Sequence, residues 1–159
     1  NASNFKTPFR DKGEGSAPFE RLPMDLLASE GSAGEGDSAK DAERIRYYVA
    51  DAELLAAAHA VKGQYKRGKV VEGTIASGNF WNNELDRIVW LHTQFGTSTE
   101  EMETASAAQI AHSYGIPFLG IRVLSNNLTN GGHYDPSTAT DCQAFVKQVV
   151  EQYIKHSKK

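Results

Sequence analysis

The 159 residues are 40% hydrophobic with a formal net charge of −3, which suits one core and, most simply, a single α/β domain. That charge excludes the global basic field of a nucleic-acid or anionic-membrane binder, and no apolar run approaches the ~18 residues that span a bilayer. Cys142 is the only cysteine, which excludes an internal disulfide and a cysteine-based zinc site.

Residues 1–22 mix Gly, Pro and charge with Phe5, Phe9 and Phe19 and hold no sustained period, so they read as a long ordered loop pinned to a surface. Pro23–Ala28 opens a short helix. Residues 31–37, GSAGEGD, form a flexible connection with no apolar anchor. Asp41–Ala50 fits a helix or a strand equally well. Asp51 then caps a helix through Val61, with Leu54, Leu55, Ala58 and Val61 as its apolar stripe and Gly63 as its stop.

Lys69–Ser77 alternates as a strand does, and Gly78-Asn79 turns the chain, leaving Phe80 and Trp81 just after the strand's carboxyl end. A helix entered through Asn82 or Asn83 carries Leu85, Ile88, Val89 and His92 on one face, with Gly96 after it. Next comes the stretch from Thr97 to Asn126, read as one helix and one strand. Glu101, Met102 and Glu103 open the helix, small residues 105–108 follow, and Gly115 with Pro117 stops it. Ile116–Leu124 is a near-continuous apolar run, as in a strand covered on both faces. Ser125, Asn126 and Asn127 stand directly after it. Residues 127–137 form a loop, and Thr138 or Thr140 caps a final helix with Cys142, Phe145, Val146, Val149, Val150, Tyr153 and Ile154 on one face. His133-x-Asp135 has no further ligand at metal-binding spacing, so no metal site is expected.

Acids opening a helix and amides ending the next strand can converge at the carboxyl edge of a sheet, where open α/β folds bind ligands. In that setting a carboxylate such as Glu103 can hold hydroxyl groups and favour a positive charge, with Met102 as an apolar contact beside it. Phe80 or Trp81 can stack on a flat ring. An amide such as Asn126 can donate and accept hydrogen bonds but delivers no proton near neutral pH.

The Met-Glu pair at a helix start and the Ser-Asn pair at the following strand end, with the small-residue helix, the Gly-x-Pro break and Arg122 between them, resemble the purine nucleoside phosphorylase and methylthioadenosine nucleosidase superfamily. The resemblance is specific over about residues 70–125. It implies a mixed central sheet flanked by helices, of which this chain holds the later, carboxyl-terminal strands of a partial domain. It also implies cleavage of a purine nucleoside's N-glycosidic bond, with Glu101, Met102, Glu103 and Ser125 at the substrate and Asn126 in the catalytic position. Many relatives have Asp there. Branches handling 6-oxopurines place an asparagine nearby, and the resemblance extends to plant vegetative storage proteins, which bind without turnover. No cofactor is implied beyond phosphate as a candidate co-substrate. The expected partners are a purine nucleoside or base and further copies in a homo-oligomer, with a separate amino-terminal fragment as a further candidate. The compartment stays open between cytoplasm and secretion after signal removal.

Overall fold

The computed structural model describes residues 45–79, 85–126 and 133–157. The phenylalanine-rich segment 1–22, the connection 31–37, Phe80 and Trp81, and the helix entrance at Asn82 or Asn83 lie outside the described residues. The described residues divide into two compact units, one of residues 45–48 and 73–114, the other of residues 49–72 and 115–157.

The first unit is built on two parallel strands, β1 (Thr74–Ser77) and β2 (Thr97–Glu101), in register from Thr74 opposite Thr97 to Ser77 opposite Glu101, with one irregularity between Thr74 and Ile75. Between them runs helix α2 (Leu85–Phe95), which packs on β2, and after them α3 (Thr104–Ser113), which packs on β1. The α/β class expected from the sequence is therefore present. The details differ from expectation in several places, and β1 is shorter than the expected 69–77. Thr97–Glu101 is a strand, so Glu101 ends β2 and the helix opens only at Thr104. Parallel pairing with β1 and the β-branched Thr97 and Thr99 outweigh the helical preference of two glutamates. On α2 the buried side chains are Arg87, Trp90 and Leu91, whereas Leu85 and Val89, expected inside, are 52% and 55% exposed. The shift turns the indole of Trp90 inward, edge-on to Phe95 at 5.3 Å between ring centroids.

Gly96 and Gly115 end α2 and α3 with φ of 66° and 63°. Both sit in the left-handed region where a Cβ is penalised, as the sequence expects of helix stops. Gly73 answers a different demand. A Cβ there would stand 2.7 Å from Ser98 Cβ and closer still to its Oγ. Ser98 can rotate its hydroxyl away but not its Cβ, so Gly73→Ala must part the chains at the start of the ladder. Overpacking of this kind costs typically 1–3 kcal/mol and the lost glycine entropy returns about half a kcal/mol, leaving a net destabilisation of about 1–2 kcal/mol. A urea midpoint lowered at unchanged slope is the expected reading.

The second unit pairs helix α1 (Ala52–Val61) with α4 (Ser137–Ser157). Ala57, Ala58 and Val61 meet Phe145 and Val149, and Tyr65, Val70, Leu119, Ile121 and Tyr153 close around them. Asp51 caps α1 as expected, its Oδ1 accepting from the N–H of Glu53 at 3.0 Å and of Leu54 at 2.9 Å. Its own N–H donates to the Phe118 carbonyl at 2.8 Å, tying the cap to the stretch after α3. That stretch, Ile116–Leu124, forms no ladder among the described residues, and Ile116 and Leu124 are 58% and 59% exposed. The strand covered on both faces is thus not what is observed. Only the middle of the run, Leu119 and Ile121, finds apolar partners. Helix α4 begins at Ser137 rather than at Thr138 or Thr140, because Asp135 caps it. Its Oδ1 takes the N–H and hydroxyl of Ser137 at 3.0 and 2.6 Å. Arg67 clasps Asp135 and also Asp141, the latter at 2.7 Å.

Candidate functional site

Parallel strands that end side by side present their last side chains to the same edge, and the register sets Ser77 beside Glu101. The chain leaves β2 through Met102 and Glu103 and turns into α3, whose first peptide N–H groups face back toward the strand ends. Glu101 meets them. Its Oε2 accepts from the N–H of Glu103 at 2.9 Å and of Thr104 at 2.8 Å, and its Oε1 from Thr104 at 3.1 Å and from the Ser77 hydroxyl. Ser77 Oγ in turn accepts the N–H of Ala105 at 2.9 Å, and the Glu101 carbonyl takes the N–H of Gly78 at 2.9 Å.

Partial burial pushes the Glu101 carboxyl up, but the Ser77 hydroxyl and the N–H groups of Glu103 and Thr104 together pull it further down, to about 2. The group is therefore an anion at every ordinary pH. Its folded pKa lies below its ordinary value of 4.5, so its contribution to stability is complete above about pH 4.5 and is lost as pH falls toward 2. With water screening a half-buried carboxylate, that contribution is about 1 kcal/mol. Unfolding followed in urea between pH 5.5 and 2.5 should show this acid loss, and Glu101→Gln should flatten it.

Glu103 occupies the N-cap of α3, yet its side chain makes no capping hydrogen bond and is exposed. Its backbone is held from both sides. The N–H goes to Glu101, and the carbonyl accepts from the Ser106 hydroxyl at 2.8 Å and the Ala107 N–H at 3.2 Å. Met102 beside it is 42% exposed. An exposed thioether and an exposed carboxylate thus stand on a fixed turn at the carboxyl edge of the sheet, where a sugar can pack on the one and hydrogen-bond to the other.

Ser125 and Asn126 belong to the second unit. The Ser125 hydroxyl donates to Asn126 Oδ1 at 3.1 Å, and the amide's hydrogen-bond donors are on Nδ2. The Ser125 carbonyl accepts from the N–H of Asp135 at 3.2 Å, so the pair is braced against the start of α4. Asp135 itself is held below the usual carboxylate range by the hydroxyl and N–H of Ser137. Cys142 is half-buried, and that burial pushes its thiol up against a smaller opposing pull from Arg122. Among the described residues no group of three His, Cys, Asp or Glu is arranged to hold a metal ion, and no helix is long and apolar enough to cross a membrane.

Of the residues singled out in the sequence, the structure gathers Glu101, Met102 and Glu103 at the end of β2 and keeps Ser125 with Asn126 in the irregular stretch before α4. Ser77 is the residue that sequence reasoning missed. It fits no nucleophile motif, and its part depends on a ladder register that no local pattern announces.

Comparison with known proteins carries the identification further. The chain is 34% identical over 95 residues to the 5'-methylthioadenosine/S-adenosylhomocysteine nucleosidase of Shewanella halifaxensis, covering 59% of this chain and 41% of that one. It is 31% identical over 111 residues to the nucleosidase of the same name from Bacillus licheniformis, covering 69% and 44%. The chain therefore spans less than half the length of these relatives. Among solved structures, a mutant futalosine hydrolase of Helicobacter pylori superposes with a TM-score of 0.54 at 25% identity, over 76% of this chain and 54% of that one. A family model described as the phosphorylase superfamily matches residues 19–159. With nearly its whole length so matched, the chain belongs to the phosphorylase superfamily.

Proposed function

We propose that this protein cleaves the N-glycosidic bond of a purine nucleoside. The observation that carries the reading is the turn at the end of β2, where Met102 and Glu103 stand exposed beside a helix start at the carboxyl edge of parallel strands. Two relatives named as nucleosidases and a structural neighbour named as a hydrolase support the same chemistry. Cleavage builds positive charge on the ribose ring, and Glu103 is the carboxylate suited to bind the ribose hydroxyls and stabilise that charge, with Met102 packed on the sugar. Asn126 hydrogen-bonds the base edge as negative charge arrives there, and Phe80 or Trp81 stacks on the base. An amide suits a 6-oxopurine, with which it can pair without transferring a proton.

The same amide favours a second reading, a nucleoside- or base-binding or storage protein with little or no turnover. The test is incubation of the full-length natural protein with inosine, guanosine, adenosine and methylthioadenosine, with and without phosphate, following free base by chromatography. Base released from the 6-oxopurine nucleosides is the expected result, and its dependence on phosphate separates phosphorolysis from hydrolysis. Binding of nucleoside without release of base would replace the enzyme by the binding protein.

A further inference from the structure

Helix α3 is capped in an unusual way. A carboxylate at an N-cap normally folds back onto the N–H groups two and three residues ahead. At Glu103 one of those donors, the Ala105 N–H, is already taken by Ser77, and the Thr104 N–H before it by Glu101. Two side chains from neighbouring strand ends thus cap a helix that its own N-cap residue leaves uncapped. Both oxygens of Glu101 are engaged with protein donors in the process, which suits a carboxylate that shapes the site and not one that receives a ligand.

We infer that Ser77 and Glu101 are positioning residues for Glu103, forming a bracket across the ends of β1 and β2 that fixes the Met102–Glu103 turn and keeps the Glu103 carboxylate off the first N–H groups of α3. The inference rests on the nucleoside reading given above and reassigns Glu101 within it. Ser77 is the hinge of the bracket, since one hydroxyl serves both Glu101 and α3. Without it, the Ala105 N–H is released and the Glu103 side chain can fold back onto its own helix, away from substrate.

The test compares Ser77→Ala, Ser77→Thr, Glu103→Gln and the double variant Ser77→Ala with Glu103→Gln in the full-length protein. Turnover of the nucleoside released fastest by the wild type and affinity for its free base are both measured. Misplacement of a binding group by about an ångström costs up to about a hundredfold, so Ser77→Ala should lower kcat/KM by about ten- to a hundredfold. Affinity for the free base should stay within about twofold. Ser77→Thr, which keeps the hydroxyl, should recover most of the loss. In the double variant Ser77→Ala should add less than about twofold to Glu103→Gln, because its effect passes through the same carboxylate.

An equal loss from Ser77→Ala with and without Glu103, or an equal loss of free-base affinity, would overturn the positioning role. Failure of the underlying reading looks different, since it appears in the wild type. A wild type that binds nucleoside without turnover moves the same comparison to nucleoside against base affinity, where a loss confined to nucleoside sustains the bracket and an equal loss overturns it. A wild type that neither turns over nor binds nucleoside overturns both.

Discussion

Replacing Asn126 by aspartic acid should raise the release of base from 6-aminopurine nucleosides by about 10²-fold, the lower end of what a positioned general acid contributes. On the proposed reading the amide at 126 hydrogen-bonds the departing base, but an amide has no transferable proton. Ser125 already donates to Oδ1, and an aspartate oxygen accepts that hydroxyl equally well, so the local geometry survives the change. Nucleosides of 6-oxopurines should gain less, since on the proposed reading the amide pairs with their base edge. The gain should grow as pH falls, because only the protonated carboxyl donates. Initial rates of base release between pH 5 and 8 measure it. Unchanged rates for both substrate classes across that range would remove Asn126 from the base side of the site.

Glu103→Gln should lower kcat/KM by about 10²- to 10³-fold, as expected when a charge aimed at the transition state is neutralised. The loss should fall mainly on kcat, because glutamine still hydrogen-bonds the ribose in the ground state but no longer opposes the positive charge that grows on the ring. A nucleoside lacking the ribose hydroxyls should lose less. A loss in KM alone, with kcat intact, would assign Glu103 to binding only.

Much of the helical framework is legible from local chemistry, because caps and glycine stops act over a few residues. Asp51 announces α1, and Gly96 and Gly115 announce the ends of α2 and α3. What local chemistry cannot express is pairing. The polar run TSTEE becomes β2 only because β1 lies alongside it, and the apolar run Ile116–Leu124 forms no ladder where no strand pairs with it among the described residues. The candidate site divides the same way. Met102 and Glu103 are visible as a sequence pair, but the engagement of Glu101 and the part of Ser77 follow from register alone. On α4, Asp135 takes the capping role that the sequence suggests for a threonine, since its side chain reaches Ser137 while Arg67 holds its other oxygen.

The second unit is discontinuous in sequence: α1 and its partner α4 are separated by the whole β1–α2–β2–α3 segment. An isolated ten-residue helix is marginal in water, so α1 emerges from the ribosome without the Phe145 and Val149 side chains that stabilise it. The two-helix core closes only once α4 has been synthesised, as one long-range step. Synthesis halted before residue 145 would therefore leave Ala57, Ala58 and Val61 without their partners Phe145 and Val149, an apolar surface for chaperones to cover until α4 arrives.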